Sequence, residues 1–214
     1  MTSQPGRFLT IEGIEGVGKS TQVVRLSERL AVLGIAHLVT REPGGTPLAE
    51  KIRELVLSPR AESLPRVAEL LLMFAARAVH LENHIEPALC AGRWVLCDRF
   101  TDATYAYQGA GRGVSHENIR YLEGLVQGQR RPDLTLLLDV PVDVGLARSR
   151  KRDAGKPADR FERERADFFE RVREGYLARA RAEPERIAVI DADASMQDVT
   201  MAITRVLESK SWIS

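Results

Sequence analysis

The sequence predicts an α/β fold in which a five-stranded parallel sheet carries helices on both faces. Short runs of apolar and β-branched residues recur along the chain, and a helix-patterned segment separates each run from the next. A glycine-rich loop follows the first run and opens a helix, which is typical of such folds. Right-handed crossovers follow from the parallel order. The predicted strands are Phe8–Ile11, Ile35–Thr40, Trp94–Asp98, Leu134–Asp139 and Arg186–Ile190.

The predicted helices have recognisable ends. Glycine favours the turn after a helix, proline favours its first turn, and serine caps the first backbone N–H groups. All but the last of these signals fall between two predicted strands, and the last follows the fifth strand. They are Gly34 after the first helix, Pro47 at the start of the second, Pro65 before a long apolar helix predicted to reach Ala91, and the N-cap candidates Ser115 and Ser195.

Length and composition predict one domain over residues 1–214. The chain is 44% hydrophobic and 29% charged, which is ordinary for a soluble globular protein. Its 31 basic and 30 acidic residues leave a net charge of +1, so we expect neither a nucleic acid nor a membrane as partner. With no secretory signal at the N-terminus and only Cys90 and Cys97 as cysteines, we expect a cytoplasmic protein with reduced thiols.

One stretch departs from the surrounding composition. Residues 149–159 are rich in Arg and Lys around Asp153, Gly155 and Pro157. Loops of this kind are typical of mobile lids over binding sites. We expect a lid at approximately residues 148–162.

The glycine-rich loop has a specific chemistry. Residues 13–20 read Gly-Ile-Glu-Gly-Val-Gly-Lys-Ser, which is a complete G-x-x-x-x-G-K-[ST] motif. Its glycines let backbone N–H groups surround a β-phosphate, toward which the following helix directs its positive end. We expect Lys19 to reach the β and γ oxygens and Ser20 to place its hydroxyl on Mg²⁺. The motif therefore predicts a nucleoside triphosphate site.

Polar residues at the strand ends extend this site, because ligands of open α/β sheets lie outside the carboxyl ends of the strands. Asp98 ends the third predicted strand, where a carboxylate holds Mg²⁺ directly or through water; capping the next helix is its alternative role. Arg99 is a candidate clamp on a second phosphate, since its planar guanidinium takes two oxygens at once. A solvated surface arginine fits that position equally well when it is considered alone.

Other classes of nucleotide-binding protein fit less well. A regulatory GTPase needs an Asn/Thr-Lys-x-Asp string and an Asp-x-x-Gly string, and the sequence has neither. A module that binds ATP without turnover remains an alternative. Lys19, Ser20, Asp98 and a basic lid together favour phosphoryl transfer to a small acceptor.

Three strings behind the phosphate-binding loop carry a closer resemblance. They are Arg41-Glu42-Pro43-Gly44-Gly45, Asp98-Arg99-Phe100 and Ala106-Tyr107-Gln108-Gly109. In this register the chain closely resembles bacterial thymidylate kinases from its first strand to Asp193. The resemblance implies a P-loop nucleotide-kinase fold, Mg²⁺-dependent transfer of the γ-phosphate of ATP to dTMP giving dTDP for dTTP biosynthesis, and a homodimer. A nucleoside monophosphate kinase of different or broader base specificity remains the alternative.

The resemblance also implies roles in binding dTMP. Arg99 and Arg53 correspond to clamps on its phosphate, and Arg41 and Glu42 to groups near that phosphate and its metal or water shell. Glu15 resembles the carboxylate that meets the deoxyribose 3′-hydroxyl. The remaining matches are Arg77, Thr104 and Gln108 at the thymine edge, and Tyr107 where a ribose 2′-hydroxyl would lie.

One position departs from the family pattern. Four residues before the base-contacting arginine the family commonly has a Phe that stacks on thymine, and here that position is Met73, with Phe74 next to it. Adjacent helical residues point about 100° apart. Either the polarizable Met73 covers the base, which we favour, or the helix is turned so that Phe74 does.

Phosphoryl transfer also needs a cation over the transferring group, and bacterial relatives supply it from the lid. The available cations are Arg148, Arg150, Lys151, Arg152 and Arg160. We expect Arg150 or Arg152 to act in catalysis, together with Lys19 and Arg99, and Arg148 to lie against adenine. The full set of predicted ATP-binding residues is Gly13, Ile14, Glu15, Gly16, Val17, Gly18, Lys19, Ser20, Thr21, Arg148 and Asp193.

Overall fold

The predicted parallel sheet is confirmed in the computed structural model, which describes residues 6–59, 61–152, 159–161 and 164–213. Every pairing between neighbouring strands is parallel, and the strand order is β2-β3-β1-β4-β5. The strands are β1 Phe8–Glu12, β2 His37–Arg41, β3 Trp94–Asp98, β4 Leu134–Asp139 and β5 Ile187–Asp191.

The three inner strands of the sheet are buried on both faces, as their continuous apolar runs require, whereas the edge strands β2 and β5 are partly exposed. All five residues of the central strand β1 are buried, and Leu9 pairs with Leu96 on one side and with Leu134 on the other. Right-handed crossovers distribute the helices over both faces. The carboxyl ends of β1, β2 and β3 therefore meet at one edge of the sheet.

Helices cover both faces of this sheet. The first and last of the described helices contact each other on one face, and most of the others lie on the opposite face. The helices are α1 Lys19–Val32, α2 Pro47–Leu57, α3 Arg66–His80, α4 Glu86–Cys90, α5 Thr101–Thr104, α6 His116–Gln127, α7 Val142–Arg152, α8 Ala166–Ala182 and α9 Met196–Ser209. Among the described residues, none of the helices has the length and apolar character needed to cross a membrane.

The predicted helix starts are confirmed. Ser115 Oγ accepts a hydrogen bond from Asn118 N at 3.3 Å, and Ser195 Oγ accepts one from Asp198 N at 3.2 Å. Pro47 occupies the first turn of α2. These bonds satisfy backbone N–H groups that a helix leaves without partners at its start.

Several boundaries differ from the prediction. Strands β1 and β2 end one residue later, at Glu12 and Arg41, and β5 is shifted by one residue to Ile187–Asp191. Strand β2 begins at His37 rather than at Ile35, because the N–H of Ile35 still bonds to Leu30 O in the turn that ends α1. The long helix predicted to reach Ala91 is α3 and α4 joined by the π-helical turn Leu81–Ile85. Pro87 gives the physical reason, since it has no N–H for a helical bond and its ring displaces the carbonyl four residues earlier.

Candidate active site

A cavity of about 520 Å³ lies beyond the carboxyl ends of β1, β2 and β3. It is lined by residues from the phosphate-binding loop, the strand ends, α3 and α7, so most of the predicted site residues share one space. The predicted residues on its wall are Glu15, Gly16, Gly18, Lys19, Ser20, Thr21, Arg41, Glu42, Arg53, Met73, Asp98, Arg99, Tyr107, Gln108, Arg148 and Arg152. The predicted residues outside this wall are Gly13, Ile14, Val17, Phe74, Arg77, Thr104, Arg150 and Asp193.

The phosphate-binding loop is held in an open curve between β1 and α1. Gly16 and Gly18 have φ angles of 76° and 94°, which side chains with a Cβ rarely adopt. Lys19 lies under the curve, and its Nζ donates to Gly13 O at 3.0 Å and to Ile14 O at 2.7 Å. Burial and the neighbouring Arg99 lower the pKa of Lys19 to about 8. An anion in the loop would favour the charged ammonium again.

Asp98 ends β3 beside this loop. Its Oδ1 is buried and has no hydrogen-bond partner among the described residues. A buried carboxylate oxygen without a partner is costly unless a ligand or water fills the position. Ser20 faces the same cavity from the first turn of α1. These two oxygen donors fit a Mg²⁺ ion that takes its other ligands from phosphate and water.

Arg99 forms the centre of a charged cluster at the mouth of the loop. Its Nη1 donates to Gly13 O at 2.9 Å and its Nη2 to Glu15 Oε1 at 2.9 Å, while its guanidinium lies 4.8 Å from the Tyr107 ring. The hydroxyl of Tyr107 donates to Glu15 Oε2 at 2.7 Å. Arg99 itself has a φ of 70°, an unusual value for a non-glycine residue.

Glu12 and Tyr176 support that cluster from below. The N–H of Phe100 donates to Glu12 Oε1 at 2.6 Å, and the hydroxyl of Tyr176 donates to Glu12 Oε2 at 2.7 Å. Arg99 Nη1 in turn donates to the Tyr176 oxygen at 3.1 Å. Burial, with the carboxylate of Asp102 nearby, raises the pKa of Glu12 to about 8. Glu12 therefore holds the backbone after Arg99 directly and the Arg99 guanidinium through Tyr176.

The residues at the end of β2 divide into an exposed and a buried group. Arg41 is exposed and pairs with Glu50 at 3.0 Å. Arg53 lies on the cavity wall and donates to Pro43 O at 2.8 Å. Glu42 is buried, and its two oxygens bind Arg77 Nε at 2.7 Å and His80 Nδ1 at 3.0 Å. The structure thus ties Glu42 to α3 as well as to the cavity.

The two candidates for covering the base take different positions. Met73 lies on the cavity wall, whereas Phe74 belongs to a separate apolar cluster with Leu70 and Ile119. Their separation follows from the angle between adjacent helical residues. In this conformation, therefore, Met73 and not Phe74 faces the space predicted for the base.

The three residues predicted at the thymine edge are buried. Arg77 Nη2 donates to Thr104 Oγ1 at 2.9 Å, and neither residue reaches the cavity wall. Gln108 does reach it, and its Nε2 donates to Glu69 Oε1 at 2.7 Å. Arg77 Nη1 and Gln108 Oε1 are both buried without hydrogen-bond partners in the described part of the chain.

Helix α7 brings two arginines of the predicted lid to the cavity wall. Arg148 Nη1 donates to Ala192 O at 2.8 Å, and its Nη2 donates to Asp193 Oδ1 at 3.0 Å. The two residues predicted to lie beside the adenine, Arg148 and Asp193, therefore contact each other. Arg148 and Arg152 line the cavity, whereas the exposed Arg150 does not. Residues 153–158 and 162–163 of the predicted lid lie outside the described residues.

A family model described as thymidylate kinase matches residues 11–203. The chain belongs to the thymidylate kinase family. The match includes the phosphate-binding loop, the strand ends and α7, which together form the cavity.

Individual relatives cover nearly the whole chain. The thymidylate kinase of Chromohalobacter salexigens is 57% identical over 211 residues, which are 97% of this chain and 99% of the relative. That of Pseudomonas syringae pv. tomato is 55% identical over 202 residues, covering 94% and 95%. The crystal structure of thymidylate kinase from Ehrlichia chaffeensis matches with a TM-score of 0.75 at 35% identity, covering 95% of this chain and 99% of the other.

Several residues of this thymidylate kinase site were missed in the sequence. Asp159 and Phe161 line the cavity, Glu69 and Tyr176 bind residues on its wall, and Glu12 lies one contact further away because it binds Tyr176. Glu69 had one signal, since it is a charged residue inside an apolar helical run. Tyr176 had none, because it meets Glu12 across 164 positions of sequence.

Proposed function

We propose that this protein, a member of the thymidylate kinase family, transfers the γ-phosphoryl group of ATP to dTMP and releases ADP and dTDP. The observation that carries this proposal is the placement of Lys19, Asp98 and Arg99 on the wall of one cavity. Lys19 serves the donor phosphates, and Arg99 serves the acceptor phosphate. The chain thus offers a cationic group to each of the two anions that must meet.

The donor is bound by the loop at the start of α1. Backbone N–H groups of the loop surround the β-phosphate, and Lys19 exchanges its carbonyl partners Gly13 and Ile14 for phosphate oxygens. Ser20 and Asp98 would hold Mg²⁺. When bound, this ion neutralises charge on the β and γ oxygens. Arg148 and Asp193 lie where the adenine is expected.

The acceptor is oriented by the cluster around Arg99. Its guanidinium clamps the dTMP phosphate, and Arg53 contacts the same phosphate from α2. Glu15 accepts from the 3′-hydroxyl, and Tyr107 fills the space of a 2′-hydroxyl. The attacking atom is already an anionic phosphate oxygen, so no general base is required, and positioning and charge neutralisation supply the rate enhancement.

The test is an acceptor panel with ATP and Mg²⁺, with ADP release as the readout. We expect dTMP to be used better than dCMP, dUMP and AMP. Lys19→Ala should lower turnover by roughly a factor of 10³, in line with the loss of a phosphate-binding cation. Lys51→Ala is a matched control, because Lys51 is exposed on α2 and lies off the cavity wall.

Each outcome separates the alternatives. Equal use of dTMP, dCMP and AMP would identify a kinase of broader base specificity. No ADP release dependent on any monophosphate would identify an ATP-binding module without transferase activity. Full turnover in Lys19→Ala would reject the mechanism while leaving the acceptor assignment intact.

We also propose that the protein acts as a cytoplasmic homodimer. The location is supported by its substrates, since ATP and dTMP are cytoplasmic metabolites. The dimer is supported by exposed apolar side chains on neighbouring helices: Val67 and Leu71 of α3, and Tyr121 and Leu125 of α6. Apolar patches of this kind commonly mark protein interfaces.

A further inference from the structure

Glu69 is an acidic side chain buried inside helix α3. It is 1% exposed, and it lies four residues before Met73 and eight before Arg77. Residues four apart share one face of a helix, so all three point toward the side of α3 that carries the cavity wall. Glu69 Oε1 accepts a hydrogen bond from Gln108 Nε2 at 2.7 Å.

The second oxygen of Glu69 is held by arginines. Arg160 Nη2 donates to Oε2, and Arg112 Nε lies 3.6 Å from the same atom. Arg160 is itself fixed to the end of α2, because its N–H donates to Leu57 O at 3.1 Å and its Nε to Val56 O at 2.9 Å. A carboxylate between two guanidinium groups is anionic, and its orientation is set.

This arrangement fixes which way the side-chain amide of Gln108 is oriented. An ionised carboxylate only accepts hydrogen bonds, so Gln108 must offer its NH₂ group to Glu69. Its Oε1 is then turned away from Glu69, and it is buried without a partner among the described residues. A buried acceptor without a partner is unfavourable, and a ligand N–H that reaches it removes that cost.

Arg77 offers a hydrogen-bond donor, in contrast to the acceptor of Gln108. Its Nε and Nη2 are occupied by Glu42 and Thr104, while Nη1 is a buried donor with no partner in the described chain. One acceptor, Gln108 Oε1 on the cavity wall, and one donor, Arg77 Nη1 behind that wall, therefore remain without partners among the described residues. Ring N3–H and the C4 carbonyl of thymine match this pair, whereas cytosine presents an acceptor at N3 and a donor at C4.

We propose that Glu69 is a positioning residue that selects the acceptor base by holding the amide of Gln108 in one orientation. This inference rests on the proposed function, since it takes dTMP as the acceptor. Glu69 does not touch the base. It makes the carbonyl of Gln108 the only group that this side chain can offer, and so favours bases with an N–H at ring position 3.

The test uses Glu69→Gln and a matched pair of acceptors. dTMP and 5-methyl-dCMP carry the same methyl group and differ only at positions 3 and 4 of the ring. The readout is the ratio of their kcat/KM values. In the wild type the ratio should favour dTMP. Gln at position 69 donates as well as accepts, so Gln108 is free to rotate its amide, and the ratio should fall roughly 10-fold to 100-fold.

Two further variants separate positioning from a general structural effect. Glu164→Gln removes a carboxylate that binds Arg112 at 2.5 Å and is not bonded to Gln108, so the ratio should stay at the wild-type value. The double exchange Glu69→Gln with Gln108→Glu restores an acceptor at position 108, held by an amide donor at position 69, and should recover the preference for dTMP. Thermal unfolding of every variant controls for folding.

The outcomes are distinct. A wild type that prefers dTMP and a Glu69→Gln variant that keeps the same ratio would overturn the role of Glu69 and leave the proposed function standing. A wild type without preference would overturn both, starting with the assignment of dTMP as acceptor. If Glu69→Gln alone does not fold, the double exchange decides, and its failure to prefer dTMP would overturn the inference.

Discussion

Glu12 shows how one buried carboxyl group shapes the site around it. It ends β1 with no exposed surface and accepts from Phe100 N and from Tyr176 Oη. The first bond fixes the backbone directly after Arg99, which holds a left-handed conformation, and the second holds the Tyr176 hydroxyl that accepts from Arg99 Nη1. A site residue with an unusual φ thus depends on a neighbour that never meets the substrate.

The protonation of Glu12 makes stability depend on pH. Burial raises its pKa in the folded state from the ordinary 4.5 to about 8, so the folded protein binds a proton that the unfolded chain releases. Its contribution to stability is full below pH 4.5 and is lost as the pH rises through 8. The slope reaches at most about 1.4 kcal/mol per pH unit.

Glu12→Gln should remove this dependence, because an amide does not titrate. Its oxygen still accepts from Phe100 N, and its NH₂ donates to the Tyr176 oxygen instead of accepting from it. Urea unfolding at pH 5 and pH 8 measures it. We expect the wild type to lose stability relative to Glu12→Gln between the two pH values. Parallel changes in the free energy of unfolding of the two proteins would show that Glu12 is ionised in the folded state at both.

Individual site residues were predictable where they belong to a contiguous motif or directly follow a predicted strand. Lys19 and Ser20 belong to a contiguous motif, and Asp98 and Arg99 follow a strand whose end had to lie at the ligand edge. Residues such as Glu69 reach the site through a contact with another side chain distant in sequence. No local pattern encodes such a contact, so the supporting residues emerge only from the folded chain.

At the scale of elements, the phosphate-binding loop packs closely on helix α7. A Cβ on Gly145 would lie 2.8 Å from Glu15 O and 3.1 Å from Ile14 Cδ1. Such contacts require the loop to shift. The bare backbone at Gly145 is therefore part of what holds the loop in its curve, although it contributes no group to the site.

Gly145→Ala should weaken ATP binding for this reason, at least about 10-fold if the loop moves by a few tenths of an ångström. Gly124→Ala is the matched control, because Gly124 also lies inside a helix and a Cβ there meets nothing within 4 Å. It should raise stability by up to about 1 kcal/mol, the helix propensity of Ala over Gly. Calorimetric titration with ATP and urea unfolding measure both effects. Unchanged ATP affinity in Gly145→Ala would show that the loop does not depend on this contact.

The two predicted catalytic arginines of α7, Arg150 and Arg152, lie on different faces of the helix. Arg148 and Arg152 are four residues apart and both face the cavity, while Arg150 lies on the other side of the helix. Arg152→Ala should lower kcat by a factor of about 10³, the lower end of the effect of a transition-state arginine. Arg150→Ala should stay within about threefold of the wild type. A larger loss of kcat in Arg150→Ala than in Arg152→Ala would assign catalysis to a different lid conformation.

The elements themselves and several of their boundaries were predictable, but the interruption of the long helix was not. Alternating strand and helix patterns predicted the parallel sheet, and Ser115 and Ser195 marked helix starts through their own hydrogen bonds. The run from Pro65 to Ala91 has continuous helical periodicity, and this pattern predicts a single helix. Pro87 sits at the beginning of α4, and the wider π-helical turn before it leaves no mark in an apolar pattern.

On the scale of the whole molecule, two apolar stripes lie on neighbouring helices. Val67 and Leu71 are 58% and 51% exposed on α3, and Tyr121 and Leu125 are each 71% exposed on α6. Each pair is four residues apart and so occupies one helical face. The inner faces of the same helices pack together through Leu70 and other apolar residues. Together, the four exposed residues of the two helices form one surface, which we call the apolar stripe.

The proposed dimer gives the apolar stripe a function that can be measured. Sedimentation equilibrium should give about twice the chain mass of 23.8 kDa. Leu71→Glu should shift the equilibrium to monomers, because a charge buried without a partner opposes association by several kcal/mol. Val32→Glu is the control, since Val32 is 87% exposed at the end of α1, on the other face of the sheet. A wild type that sediments as a monomer would reject the dimer, and equal dissociation in both variants would place the interface elsewhere.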